Sequence, residues 1–108
     1  MGLHIDRRDD EQIMLDYPDR RRITLTREGM ELVCRHQDNP DAPLVFMRRS
    51  ALEIGTTIGV GDDVSIDIRA AGYARMKVRF IVNAPADVVI SRGEEERSVE
   101  DVLRGVLA

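Results

Sequence analysis

Apolar and polar residues alternate in short runs along most of this chain, and nearly every run ends in turn chemistry. Leu3-His-Ile-Asp-Arg7, Arg22-Ile-Thr-Leu-Thr26, Val64-Ser-Ile-Asp-Ile68 and Met76-Lys-Val-Arg-Phe80 keep the two-residue period that turns one face of a strand inward. Such a pattern excludes a helical bundle and predicts a mostly β chain, a small antiparallel β-barrel or sandwich.

The remaining segments fit that reading. Gln12-Ile-Met-Leu15 is a second short strand, after a tight turn at Asp9-Asp10. Asp16-Tyr-Pro-Asp19 is turn chemistry, since Pro fixes φ and Asp bonds the local backbone. Glu28-Gly29 is a two-residue hairpin signal leading into Met30-Glu-Leu-Val-Cys34. Gln37 to Asp41 reads as a loop, and Pro43-Leu-Val-Phe-Met47 as a short buried strand. Ser50-Ala-Leu-Glu-Ile54 reads as one helical turn stopped by Gly55, and Thr56 to Asp63 as the approach to the next hairpin. Ala70 to Arg75 lacks alternation and is expected to loop. Ala84-Pro85 turns the chain into a last strand at Val88, Val89 and Ile90. Ser98 to Leu107 predicts a C-terminal α-helix. Ser98 is its N-cap, Glu100 and Asp101 complement the dipole, and Val99, Val102, Leu103, Val106 and Leu107 form the apolar stripe.

The chain has 108 residues, enough for one domain with a thin core or for an oligomer. There is no Trp and only two Phe and two Tyr, so Val, Ile, Leu and Met must fill the interior. The lone Cys34 excludes an internal disulfide. With no membrane-length apolar run and no leader-like segment, the expected location is the cytoplasm. The formal net charge is -4, but it is unevenly spread. Arginines gather at Arg7-Arg8, Arg20 to Arg22 and Arg48-Arg49, and acids at Asp9 to Glu11, Asp62-Asp63 and Glu94 to Glu96. Segregation of this kind allows a positive face on an acidic protein.

Two segments resemble the carbon storage regulator (CsrA/RsmA) family, small bacterial RNA-binding regulators of translation. Leu3-His-Ile-Asp-Arg-Arg-Asp-Asp-Glu-Gln-Ile-Met-Leu15 is similar to the family's opening strand, paired basic residues, turn and second strand. Gly61 to Ile68 and Val78-Arg-Phe-Ile-Val-Asn-Ala-Pro-Ala-Asp-Val-Val-Ile-Ser-Arg-Gly-Glu94 resemble its remaining strands, with the Val-Asn-Ala-Pro corner and Arg92 the more specific part. The resemblance covers about half the chain. The departures are Asp6 and Asp10 in the opening, a longer Ala70 to Arg75 loop, and residues 16–60 where the family has almost no connection.

The resemblance implies a post-transcriptional regulator that binds GGA-bearing loops of mRNA or small regulatory RNA without a cofactor, as a homodimer or a single-chain pseudo-dimer. It places Leu3, Ile5, Arg7, Arg8, Val88, Ile90 and Arg92 at the RNA site. Residues 16–60 are then an insertion in a single domain. In the alternative, the chain is two diverged halves, about 1–54 and 55–108, because Asp41-Ala-Pro-Leu-Val-Phe-Met-Arg-Arg49 echoes Asn83-Ala-Pro-Ala-Asp-Val-Val-Ile-Ser-Arg92. A second functional reading keeps the fold without RNA binding, as a protein-interaction module or antagonist, because Asp6, Asp9 and Asp10 put negative charge beside the phosphate path.

No nucleophile sits in a motif, no Gly-rich phosphate loop precedes a helix, and Cys34 with His36 is too small a set for structural zinc. No enzyme is expected. Cys34 reads as a small buried hydrophobe.

Overall fold

The computed structural model describes residues 2–71 and 77–92. Within them are nine antiparallel strands: β1 (Leu3–Arg7), β2 (Gln12–Asp16), β3 (Arg22–Glu28), β4 (Glu31–Gln37), β5 (Leu44–Ala51), β6 (Thr57–Val60), β7 (Val64–Ala70), β8 (Val78–Asn83) and β9 (Val89–Ser91). They form a four-stranded sheet, β1-β8-β7-β6, and a five-stranded sheet, β5-β4-β3-β2-β9. The chain is therefore mostly β, as the alternation requires. No helix among the described residues is long and apolar enough to cross a membrane. The helix expected over Ser98 to Leu107 lies outside the described residues, as does most of the Ala70 to Arg75 loop.

Alternation sets which face each strand buries. On the four-stranded sheet Ile5, Ile66, Ile68, Phe80 and Val82 are at most 1% exposed, while their neighbours His4, Asp67 and Arg79 point outward. On the other sheet Ile13, Leu15, Ile23, Leu25, Leu32 and Cys34 are buried the same way. Both inner faces share one apolar cluster, so the sheets pack face to face. Burying each such side chain contributes about 1.5–3 kcal/mol. Cys34 sits in this cluster at 2% exposure, as a hydrophobe would.

Residues 16–60 supply β3 to β6, so they complete most of the second sheet and one edge of the first. Two local expectations need correction. The run Pro43 to Met47 is not a buried strand. Leu44, Val45, Phe46 and Met47 are each about half exposed, because β5 is an edge strand paired only with β4. Ser50 to Ile54 is not a helical turn. Ser50 and Ala51 finish β5, and the Leu52 amide donates to the Met30 carbonyl at 2.8 Å, extending the pairing that apolar Leu52 anchors in the core. A turn then follows, in which the Thr56 amide donates to the Glu53 carbonyl.

Two non-glycine residues adopt left-handed backbone, Asp10 at φ 64° and Arg20 at φ 76°. Both close turns, and a side chain there costs about 1–2 kcal/mol relative to glycine. Arg20→Gly is therefore expected to raise stability by about 1 kcal/mol in a denaturant titration. Phe80→Ala, which empties the centre of the core, is expected to lower it by about 3–5 kcal/mol in the same titration.

Candidate nucleic-acid interface

β1 and β9 are outermost strands of different sheets, each paired on one side only. Short connections bring them to the same side of the sandwich. β1 passes into β2 through Arg8 to Glu11, and β8, the partner of β1, passes into β9 through Ala84 to Val88. Each connection is stapled. The Glu11 amide donates to the Arg8 carbonyl at 3.2 Å, the Arg8 amide to Glu11 Oε1 at 2.6 Å, and the Val88 amide to the Pro85 carbonyl at 3.1 Å. Among the described residues, two free backbone edges thus flank one side of the core, each carrying donors and acceptors that sheet pairing leaves open.

The residues expected at this site divide by burial. Leu3, Arg8 and Arg92 are exposed and Ile90 is half-buried against the core. Ile5 and Val88 are core residues, so they hold the strands in place and can offer a ligand only their backbone. Arg7 is turned inward at 5% exposure. Its Nε donates to the Asp6 carbonyl at 2.7 Å and its Nη1 to the Gln12 carbonyl at 3.3 Å. Arg27, also buried, donates from Nη1 to the Arg7 carbonyl at 2.9 Å and from Nε to the Gly29 carbonyl at 2.9 Å. These two arginines brace the turns below the site, and the Arg7 guanidinium is not presented to solvent. Val89, at 63% exposure, is an outward residue on β9 that alternation alone would have indicated.

The acidic residues near β1 are engaged too. Asp6 takes two hydrogen bonds from Arg79, at 2.8 and 3.3 Å, and that pairing holds its carboxyl below the usual carboxylate range. Asp9 Oδ1 accepts the Gly29 amide at 2.6 Å, which ties the β1–β2 turn to the β3–β4 turn. Among the described residues no carboxylate is paired with the Arg8 or Arg92 guanidinium.

The other arginine-rich end is different. A cleft there is lined by Arg21, Arg22, His36 and Phe46. Its cations are already spent: Arg22 chelates Asp16 at 2.7 and 3.2 Å, and Arg21 bonds Asp19 at 2.8 Å while lying over the Tyr17 ring. The His36 ring stacks on Phe46 with centroids 3.8 Å apart, and its Nε2 lies 3.3 Å from Cys34 Sγ. Burial, then Arg48, pushes the His36 pKa below its ordinary 6.5. Burial pushes the Cys34 thiol up. Among the described residues no group of three or more His, Cys, Asp or Glu side chains is placed to hold a metal.

No family model matches this chain, and neither a curated protein nor a solved structure is significantly similar to it.

The His36 environment has a measurable consequence. An imidazole held neutral in the folded state binds fewer protons than in the unfolded chain, so its contribution is full above pH 6.5 and shrinks as pH falls below that value. The wild type should unfold at lower denaturant at about pH 5.5 than at about pH 7.5. His36→Phe, which keeps the stacking on Phe46, should remove most of that step. An unchanged step in the variant would assign the pH dependence to another group.

Proposed function

We propose that this protein binds single-stranded loops of RNA along the free edges of β1 and β9 and regulates translation by covering the message. One observation carries the proposal: two open backbone edges lie at one side of the sandwich, with the Arg8 and Arg92 guanidinium groups, which no described carboxylate pairs, on the strand ends. Open edge N–H and C=O groups suit the base edges of a splayed loop. Arginine supplies phosphate contacts and planar stacking. The resemblance of residues 3–15 and 61–94 to the carbon storage regulator family supports the same reading and makes a GGA-bearing hairpin the first ligand to try.

The site works by positioning. β1 and β9 are held by side chains that point into the core, so their backbone is presented in a fixed geometry at little cost in ordering on binding. Inward Arg7 and Arg27 fix the turn that presents Arg8. The overall acidic charge is compatible with this because the acids nearest the edge are bonded to Arg79 and to the Gly29 amide.

A protein-interaction reading has one observation of its own, the half-exposed apolar run of Leu44, Val45, Phe46 and Met47 on β5. That edge lies away from β1 and β9, so the two readings separate by mutation.

Arg92→Ala is expected to weaken binding of a GGA-loop hairpin by about 10- to 100-fold, the weight of a hydrogen bond to a charged group. It should also flatten the log–log salt dependence by about 0.7 if one phosphate contact is lost. Phe46→Ser should leave RNA affinity unchanged. Failure of the wild type to bind such hairpins at low salt would overturn the proposal and favour the interaction reading.

A further inference from the structure

The two sheets repeat each other in register as well as in layout. Each is a meander of three strands with one strand added beside the last. In one sheet the meander β6-β7-β8 receives β1, and in the other the meander β2-β3-β4 receives β5. Each added strand therefore comes from the other half of the chain: β1 precedes β2 but pairs with β8, and β5 precedes β6 but pairs with β4.

The pairings correspond residue by residue. Ile5 faces Phe80 where Ser50 faces Leu32, and Leu3 faces Val82 where Arg48 faces Cys34. Ile13 faces Leu25 where Ile58 faces Ile66, and Leu15 faces Ile23 where Val60 faces Val64. Arg27 faces Leu32 where Ile68 faces Phe80.

The turns agree as closely. The Asp10 amide donates to the Arg27 carbonyl at 2.6 Å, and the Gly55 amide to the Ile68 carbonyl at 2.8 Å. The Arg27 amide donates to Glu11 at 3.1 Å, and the Ile68 amide to Thr56 at 2.9 Å. The Glu11 amide donates to Arg8 and the Thr56 amide to Glu53, both at 3.2 Å. Left-handed backbone recurs at the same places, Asp10 with Gly55 and Arg20 with Gly61. Unrelated hairpins share a turn type readily. A shared register across an exchanged strand, with the same bonds between the same turn and the same neighbouring strand, is the mark of a repeat.

We infer that this chain is two copies of one strand-exchanging unit, residues 3–35 and 48–83, fused in a single polypeptide, and that it carries one edge-strand RNA site where two separate copies would carry two. The second part rests on the RNA reading above; the first does not.

The missing site is visible in what the repeat leaves out. After β8 the chain runs through Ala84 to Val88 into β9, which pairs with Met14 and Leu15 of β2. The counterparts of those residues are Gly59 and Val60 on β6. After β4, however, Asp38 to Pro43 turn straight into β5, so no strand among the described residues is supplied to that edge. The Arg48 guanidinium instead donates to the Gly59 carbonyl there. The counterpart of Arg8 is Glu53, which reverses the charge at the end of the added strand. The echo between Asp41-Ala-Pro43 and Asn83-Ala-Pro85 is not part of the repeat, because β5 stands where β1 stands and not where β9 does.

The test is light scattering of the full chain alone and titrated with a single-loop GGA hairpin, beside a variant that gives the first unit the second unit's residues. Fusion predicts a single-chain mass of 12.2 kDa. It also predicts that Arg7→Leu/Arg27→Ile, matching Leu52 and Ile68, folds with a midpoint at least equal to that of either single substitution. A two-chain mass, or a double variant worse than both singles, would overturn the fusion. Saturation at one hairpin per chain supports the single site, and two per chain would overturn it. If the wild type binds no hairpin, the RNA reading and the single site fall together, while the mass and the double variant still decide the fusion.

Discussion

The antiparallel pairing of β1 with β8 is the contact on which the rest of this structure depends. It joins residues 3–7 to residues 78–82, nearly the full span of the described chain. Closing so long a loop costs chain entropy that only a well-buried seam can offset. Ile5 opposite Phe80 supplies that seam, with both side chains in the shared core. Once β1 is fixed there, the short turn after Arg8 delivers β2 to the other sheet. The Asn83-Ala-Pro corner then delivers β9 onto the far side of β2. Both candidate edges are thus set by one pairing and two short connections.

Charge sorting follows from the same framework. Counted on the chain, the arginines are outnumbered by acids. In the fold they fall into groups with different fates. Arg7 and Arg27 go inward to brace turns through carbonyl oxygens. Arg22, Arg79, Arg35 and Arg49 meet Asp16, Asp6 and Glu28 across strands. Exposed pairs of this kind add little stability, on the order of 0–1 kcal/mol each. Their larger effect is to cancel fields locally, which among the described residues leaves the charge of Arg8 and Arg92 at the strand ends without a paired carboxylate. A net charge of -4 therefore says little about what the β1 and β9 edges can attract.

Most strands were legible because half-buried strands write their period into the sequence. Leu3 to Arg7, Arg22 to Thr26, Val64 to Ile68 and Val78 to Val82 could be read directly. Where the period fails, so does the reading. Leu44 to Met47 is a continuous apolar run, and such a run is the signature of a strand buried on both faces; here it is an edge strand left half exposed. Ser50 to Ile54 has helix-compatible residues, but the amide of Leu52 is claimed by the carbonyl of Met30 in the β3–β4 turn, a contact that local propensity cannot anticipate. At the site, alternation put Leu3, Ile5 and Arg7 on one face without telling which of them that face would cover. Tertiary packing decides it: Ile5 and Arg7 are buried, and Leu3, at the open end of the strand, is not. The repeat was hidden for a related reason. Backbone bonds and register persist while side chains diverge, so Asp10 and Gly55, or Arg7 and Leu52, share a place in the fold and nothing in the sequence.

That divergence is itself what fusion permits. When two identical chains exchange strands, every substitution appears twice and must suit both copies. A fused pair is released from that rule. One turn keeps Gly55 at φ 90° while its counterpart tolerates Asp10 at φ 64°. One buried position packs Ile68 in the core while its counterpart holds Arg27, bonded to the Arg7 carbonyl. The first half has, beneath its turn, a pair of arginines that hold the turn by hydrogen bonds in place of apolar packing, and it is this half whose β2 edge pairs with β9. The second half has Leu52 and Ile68 there, and among the described residues its corresponding edge has no counterpart of β9. Polar bracing has gathered on the side of the sandwich where β9 is added, and plain apolar packing on the side of β5 and β6. If the β1 and β9 edges bind a ligand as proposed, that is the distribution expected when one side is kept for the ligand and the other for stability.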